Sequence, residues 1–282
     1  MIVWPCSLIR EISRRRVVFF LGAGVSCSAR SIDGNRPKDW KGFLEEAYGL
    51  VKTKDINSEI TKLISEKRYL LALQAISDEA DPADYQSLLD KNFNNPGYLP
   101  SDLHKIILSL DSTIVITTNF DKIYEKYCES TSEEGYKVVT YESNDLGDLL
   151  RSDLRIIIKA HGTINNIQKM IFTKSQYHEA KKNHSQFYEI LKAIFLTHTC
   201  IFIGCGLDDP DVLLMLEDVK ITSSSMLPHY ALVLNGEYSR FSINDWHKAY
   251  NIKALTYEPN HDDLTLSLKD LLVDVETFRS TR

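Results

Sequence analysis

Short unbroken runs of apolar residues recur along the chain, and three of them are followed directly by a glycine-rich or polar motif. These runs are Val17–Leu21, 114–116 and 156–158. Continuous apolar runs of this length are typical of strands in a parallel sheet, which buries both faces of each strand. Ligands of such sheets bind beyond the carboxyl ends of the strands. The pattern therefore predicts that the segments after the three runs meet at one site, and this position suits a nucleotide.

Helical periodicity fills most of the chain between these runs. Apolar residues recur at helical spacing at Leu103, Ile106, Ile107 and Leu110, with Ser101 or Asp102 placed to cap the helix. Further helices are predicted at 68–80, Pro82–Phe93, 244–249 and 264–278, and further strands at 136–139, 200–203, 230–234 and 252–255. Alternating strands and helices predict an α/β fold. We expect a doubly wound, mostly parallel, Rossmann-like sheet.

The stretch 41–110 lies between the first two strands that precede a motif. It is too long for a simple crossover connection, and its pattern is helical. We therefore expect a helical insertion lobe that lies over the binding cleft. The whole chain, 1–282, is expected to form a single domain that contains this insertion.

The composition disfavours several classes of function. The formal net charge of -6 argues against broad electrostatic binding to nucleic acid or to an anionic membrane. The five cysteines form no pair at zinc-ribbon spacing, so we expect reduced thiols and no bound metal. No apolar stretch approaches the roughly 20 residues that span a bilayer. These features predict a cytoplasmic protein.

The first motif is the glycine-rich turn Gly22-Ala23-Gly24, with Ser26 near a helix start. Such a turn can present bare backbone N–H groups to a diphosphate at a helix N-terminus. The dinucleotide fingerprint Gly-x-Gly-x-x-Gly is incomplete, because Cys27 takes the third glycine position. A standard dehydrogenase is therefore disfavoured. A tight turn between a strand and a helix also needs glycine for its own geometry, so the motif alone leaves both readings open.

The second motif places Asn119 and Asp121 just past a strand end. Residues two apart in extended chain point the same way, so both side chains can face the crevice. Asn119 offers a donor and an acceptor for a carboxamide or a water. Asp121 can accept from a ribose hydroxyl or stabilise positive charge on a sugar ring. The alternative is an Asx turn that only caps the next helix.

The third motif is His161-Gly162, which follows the run at 156–158. Histidine exchanges protons near neutral pH, so His161 is a candidate general base. Gly162 would let a ligand approach the backbone closely. A lone histidine is more often structural, but its place beside two other motifs at strand ends favours a functional role.

The combination of motifs resembles the sirtuin family. It consists of Gly-Ala-Gly-Val-Ser, Asn-x-Asp after a Thr-rich strand end, His-Gly, and a late glycine-rich strand end at 204–206. Sirtuins bind NAD and break its bond between nicotinamide and ribose. The resemblance implies that Asn119, Asp121 and His161 are catalytic. It implies NAD contacts from Gly22, Ala23, Gly24, Ser26, Thr118 and Gly162, with Gly204 and Gly206 toward the adenosine half.

The departures from the family pattern change the expected activity. Thr118 stands where deacylase sirtuins have glutamine, and the paired cysteines of their zinc ribbon are missing. The segments 173–177 and 207–211 are similar to the zinc-free sirtuin-like domains of bacterial antiphage defence. Those domains hydrolyse NAD rather than deacylate lysine.

We therefore expect an NAD+ hydrolase that depletes cellular NAD in antiphage abortive infection, with NAD as substrate and no metal. Two alternatives stay open: a non-catalytic subunit that senses NAD or ADP-ribose, and a zinc-free protein deacylase or ADP-ribosyltransferase. An unrestrained NAD hydrolase would kill its host. We therefore expect regulation by a homo-oligomer or by a partner such as a HerA-like ATPase, without direct binding to nucleic acid or membrane.

Overall fold

The computed structural model describes residues 2–53, 56–66, 68–94, 97–131, 135–207, 213, 216 and 227–281. Within these residues the helices and strands follow the alternation that the apolar pattern predicts. No helix in these ranges is long and apolar enough to cross a membrane.

A seven-stranded sheet forms the centre of the fold, with strand order β3-β4-β2-β1-β5-β6-β7. Every pair of neighbouring strands is parallel, which confirms the predicted doubly wound α/β fold with a Rossmann-like parallel sheet. The strands are β1 (Val17–Leu21), β2 (Ile114–Thr117), β3 (Lys137–Thr140), β4 (Ile156–Lys159), β5 (Thr199–Ile203), β6 (His229–Leu234) and β7 (Ile252–Tyr257).

The central strand β1 shows why these runs are continuously apolar. All five of its residues are buried, and successive side chains enter opposite faces of the sheet. Val18 and Phe20 join one core, whereas Val17, Phe19 and Leu21 join the other. Full burial of one such side chain stabilises the fold by about 1.5–3 kcal/mol. Both faces therefore need apolar residues.

Helices cover both faces of the sheet. One face packs against α1 (Cys6–Ser13), α7 (Asp102–Ser109), α8 (Ile123–Thr131) and the last helix, α13 (Asp262–Ser280). The other packs against α9 (Leu146–Leu149), α10 (Lys174–Asn183), α11 (Ser185–Thr197) and α12 (Arg240–Tyr250). Of the two candidate caps of α7, Ser101 holds the N-cap position, and its backbone N–H donates to His104 Nδ1 at 3.2 Å.

Four helices between β1 and β2 build a third core apart from the two sheet faces. They are α3 (Trp40–Tyr48), α4 (Asn57–Ser65), α5 (Tyr69–Glu79) and α6 (Pro82–Phe93). Their apolar faces pack together with Phe120 and Phe172, which come from the loops after β2 and β4. Helix α7 packs on the sheet instead. The division into one domain with an insertion at 41–110 stays a prediction.

Candidate active site

The turns after β4, β2, β1 and β5 lie side by side, because these four strands are consecutive neighbours in the sheet. All four strands are parallel, so their carboxyl ends meet along one edge. The predicted motifs occupy the segments that leave this edge. The short helix α2 (Ala23–Cys27) begins directly after β1.

Three glycines bring the turns after β1 and β5 into backbone contact. The Gly24 N–H donates to Gly204 O at 2.9 Å, and the Gly22 N–H donates to Ile203 O at 3.0 Å. A Cβ on Gly22 would lie 2.5 Å from Gly204 O. These contacts make close backbone approach the reason for glycine here. The expectation that the amides of Gly22 and Gly24 are bare is therefore wrong, and diphosphate binding by this turn stays a prediction.

Ser26 connects the segment after β1 with the segment after β2. Its Oγ donates to Asp121 Oδ2 at 2.6 Å and accepts from Asn119 Nδ2 at 2.9 Å. Asn119 Nδ2 also donates to Gly22 O at 2.8 Å. The side chains of Asn119 and Asp121 therefore point the same way, as their spacing predicts. The Asx alternative is present as well, because Asp121 Oδ1 accepts from the Ile123 N–H at 3.0 Å.

An open cleft of about 570 Å³, including the part open to solvent, lies against these three side chains. The sheet edge contributes Ala23, Ser26, Thr118, Asn119, Phe120 and Asp121 to its lining, and the helical third core contributes Trp40, Phe43, Asn92 and Phe93. The cleft is therefore lined by polar side chains of the sheet edge, here called the polar floor (Ser26, Asn119 and Asp121), and by aromatic rings of the third core, here called the aromatic wall (Trp40, Phe43 and Phe93).

The ring of Phe120 packs against aromatic rings of the third core, while its main chain belongs to the segment that forms the polar floor. Its ring centroid lies 4.1 Å from that of Phe172 and 5.4 Å from that of Phe93. Its neighbours Asn119 and Asp121 point instead toward Ser26. The segment 119–121 thus divides its side chains between the third core and the candidate site.

His161 lies at the end of β4 and is 6% exposed. Its backbone carbonyl accepts from the Ile171 N–H at 2.9 Å. Among the described residues it is not one of those that line the open cleft. Gly162 has φ of +86°, and a Cβ there would lie 2.6 Å from Lys169 O. This glycine is therefore needed for a close approach within the chain itself.

The late glycine-rich segment is described only in part. Gly204 belongs to the glycine contact with β1, and a Cβ on Gly206 would lie 3.8 Å from the Tyr238 hydroxyl. The residues 208–211, which belong to the similarity with defence-related domains, lie outside the described residues. A contact of Gly204 or Gly206 with the adenosine half of NAD stays a prediction.

A buried ion pair behind the site was missed by sequence analysis. Lys159 Nζ lies 3.5 Å from Glu125 Oε1, and both side chains are less than a tenth exposed. Burial lowers the pKa of Lys159 and raises the pKa of Glu125, and each partner opposes the shift of the other. The available signal was a lysine that continues the apolar run of a strand buried on both faces. A lysine in that position needs a partner.

His104 was also missed. It lies with Lys159 and Glu125 in a smaller pocket of about 320 Å³, including the part open to solvent, which shares Ser26, Asn119 and Asp121 with the open cleft. Burial lowers the pKa of His104 to about 4, although the Asp121 charge opposes the shift. Among the described residues, no three His, Cys, Asp or Glu side chains are grouped to hold a metal ion.

A family model described as SIR2-like domain matches residues 113–255, just over half of the chain. The chain belongs to the SIR2-like domain family. The matched segment includes β2, β4 and β5, and with them Asn119, Asp121 and His161. The glycine-rich turn after β1 precedes it.

Relatives of this SIR2-like chain are named for defence and for NAD hydrolysis. Defense-associated sirtuin 2 of Bacillus subtilis is 27% identical over 219 residues, which cover 75% of this chain and 20% of the relative. NAD(+) hydrolase ThsA of Cytobacillus dafuensis is 25% identical over 272 residues, or 94% of this chain and 51% of the relative. ThsA of Acinetobacter baumannii (strain 532279) is 23% identical over 270 residues, 95% of this chain and 52% of the relative. The chain spans about half or less of the length of these relatives.

Proposed function

We propose that this chain is an NAD+ hydrolase that cleaves the bond between nicotinamide and ribose and depletes NAD in antiphage defence. The observation that carries the proposal is the hydrogen-bonded cluster of Ser26, Asn119 and Asp121 against an aromatic-walled cleft. Membership of the SIR2-like family and the names of the relatives, defence-associated sirtuin and NAD(+) hydrolase, support it.

The hydrogen bonds of Asn119 determine which of its atoms can serve the reaction. Its Nδ2 carries two N–H donors, and these go to Gly22 O and Ser26 Oγ. The carbonyl Oδ1 is therefore the atom left to accept a hydrogen bond from a ribose hydroxyl or from the attacking water. In this role Asn119 orients the nucleophile toward the anomeric carbon.

Asp121 supplies negative charge where positive charge develops. Nicotinamide in NAD+ is cationic and departs as a neutral molecule, so no general acid is needed. The ribose becomes oxocarbenium-like as the bond breaks, and a fixed carboxylate nearby stabilises it. Ser26 and the Ile123 N–H hold one oxygen each of this carboxylate, so its position is set before substrate binds.

His161 is the proposed general base. Water adds its oxygen to the anomeric carbon of the ribose, the nicotinamide bond breaks, and one proton is released. His161 takes that proton from the water or, through a ribose hydroxyl, from the reacting sugar. Its place at the end of β4, next to β2 in the sheet, supports this role. Ala23, Ser26 and Thr118 line the cleft, which supports their proposed contacts with NAD.

The first experiment is to incubate the purified chain with NAD and to follow nicotinamide release. Asn119→Ala and His161→Ala are measured alongside, with Asn165→Ala and His178→Ala as matched controls, because both control side chains are exposed. Loss of release in the first pair alone supports a hydrolase at this site. Uncleaved NAD trapped by the wild-type chain would instead favour a sensor, and label transferred to protein would favour an ADP-ribosyltransferase.

We further propose that activity is restrained until this chain assembles with itself or with a defence partner such as a HerA-like ATPase. The support is the cost of uncontrolled NAD loss to the cell. Light scattering and nicotinamide release are measured together over a range of protein concentrations. Specific activity that rises with assembly is expected, whereas a strictly monomeric chain with full activity would overturn this part of the proposal.

A further inference from the structure

Lys159 brings a buried ammonium group to the backbone of the segment that carries Asn119 and Asp121. Its side chain is 2% exposed. Nζ donates to Phe120 O at 3.3 Å and forms a closer hydrogen bond with Asp121 O. The third partner is Glu125 Oε1, on the first turn of α8. Three donors therefore meet three acceptors, and two of these acceptors belong to the site segment itself.

The contacts of Lys159 differ from those of a simple buried ion pair. If charge neutralisation were its only role, Glu125 would be the nearest acceptor. Instead the carboxylate, at 3.5 Å, is the most distant of the three partners. The two nearer contacts go to main-chain oxygens, and the position of these oxygens determines where the adjoining side chains lie.

The carbonyl of Phe120 is shared with the neighbouring loop. It accepts from the Ile164 N–H at 3.1 Å as well as from Lys159. The segment 119–121 is thus fixed from β4, from the 3-10 helix Ile164–Lys169 and through the ring of Phe120. Only Lys159 contacts both of the successive carbonyls at 120 and 121 among the described hydrogen bonds. It is therefore the group that sets the orientation of the peptide between them.

We propose that Lys159 is a positioning residue, which holds the main chain of Phe120 and Asp121 so that the side chains of Asn119 and Asp121 reach Ser26. Its effect on catalysis rests on the proposed NAD+ hydrolase function, whereas its effect on the segment does not. Charged groups that face Lys159 are Glu125 and Asp121, with Lys122 also near. Glu125 balances the buried positive charge of Lys159. The two main-chain carbonyls determine where the N–H groups of this ammonium point.

The test uses a pair of substitutions that removes the ammonium without leaving an unpaired charge. Replacing both partners of a buried ion pair by apolar residues is often neutral for folding, whereas removing one partner is not. The variant is therefore Lys159→Met with Glu125→Leu. The matched control is Glu125→Gln, which leaves the Lys159 donors on both carbonyls. Because it removes one partner of the pair, its free energy of unfolding is measured as well, and its local exchange is compared after correction for any global loss of stability. If the apolar pair does not fold, Lys159→Gln with Glu125→Gln replaces it, because the shorter side chain withdraws the donor from the carbonyls.

The first readout is hydrogen exchange of the peptide that covers 118–123, which needs no NAD cleavage. We expect exchange at least about tenfold faster there in the apolar pair, with exchange in β1 and β5 unchanged and with the control like wild type. Unchanged exchange in this segment would overturn the proposal. A wild-type chain that stays inactive in every assembled state tested, but whose segment responds as expected, would count against the hydrolase and leave the positioning role supported.

The second readout is nicotinamide release. Misplacing catalytic groups by about 1 Å can cost about 10²-fold, so kcat should fall by this order while KM changes less than about threefold. In an Asp121→Asn background the apolar pair should lower kcat little further, because it acts through the same segment. If the apolar pair lowers kcat by the same factor in the Asp121→Asn background as in wild type, its effect does not pass through Asp121. That result would contradict the proposal.

Discussion

Ser26 Oγ donates a 2.6 Å hydrogen bond to Asp121 Oδ2 and so joins two segments that lie 95 residues apart in the chain. The same hydroxyl accepts from Asn119 Nδ2. A serine of α2, next to the glycine-rich turn, thus orients both polar residues of the second motif. The turn serves the site through a side chain, while the amides of its glycines are occupied within the protein.

Ser26→Ala should lower activity more than stability. A hydrogen bond to a charged group is worth about 1.5–3 kcal/mol, so kcat for nicotinamide release should fall roughly tenfold to a hundredfold. Ser28→Ala is the control, because that hydroxyl contacts Val25 O and Ser101 Oγ and neither Asn119 nor Asp121. Equal kcat values for the two variants would show that Ser26 does not contribute to the reaction.

His161→Ala should remove most NAD cleavage. Loss of a general base costs about 10²–10⁴-fold in rate. Because His161 is buried, the circular dichroism spectrum and melting temperature of the variant are needed beside its kcat. A folded variant that cleaves NAD at the wild-type rate would exclude His161 as the base.

Trp40 should report substrate binding through its fluorescence. It lines the cleft, whereas Trp4 and Trp246 are less than a tenth exposed. NAD added to the His161→Ala variant, which should keep the substrate intact, is expected to quench part of the emission. An added Trp40→Phe substitution should abolish this quenching and leave the emission of the two buried tryptophans. Quenching that persists without Trp40 would place NAD away from the aromatic wall.

The inner strands could be predicted from sequence because burial on both faces leaves mostly apolar residues at their positions. Thus the run that contains Phe19 and Phe20 identified β1 without any knowledge of its neighbours. The same-side direction of Asn119 and Asp121 followed from their spacing. Their common partner Ser26 did not, because it depends on β2 lying beside β1 in the sheet.

The features that sequence reasoning missed depend on packing between distant segments. The aromatic wall combines Trp40 and Phe93 from separate helices, and no local periodicity distinguishes a cleft-facing ring from a core ring. His104 appears in the sequence as one polar residue in an amphipathic helix. Its place near Asp121 results from the packing of α7 and α8 on the same sheet face.

Two buried histidines should make the fold less stable in mild acid. Burial lowers the pKa of His229 to about 4, as it does for His104, from an ordinary value of 6.5. Below pH 6.5 the unfolded chain binds protons that the folded chain excludes, so the free energy of unfolding falls as pH falls toward 4. Each histidine should contribute a loss of about 2 kcal/mol between pH 7 and 5.

Urea denaturation at pH 7 and pH 5 measures this loss. His229→Asn keeps an acceptor near the position of Nδ1, which accepts from the Cys200 N–H at 3.1 Å, and removes the titrating ring. The difference between the two pH values should therefore be smaller in the variant than in wild type. An equal difference in both would show that His229 does not cause the acid sensitivity.

Gly204→Ala should destabilise the fold more than the same change at Gly236. Both glycines have positive φ, +63° and +83°, so each substitution carries a conformational cost of about 1–2 kcal/mol. At Gly204 a Cβ would also lie 2.5 Å from Val25 N, whereas nothing lies within 4 Å of a Cβ on Gly236. Overpacking typically adds about 1–3 kcal/mol, and urea denaturation of the two variants isolates that difference.

Because the displaced backbone leads directly to Ser26, Gly204→Ala should also slow nicotinamide release, while Gly236→Ala should not. Equal stability and equal activity of the two variants would mean that the turn after β1 adjusts freely to the added methyl group.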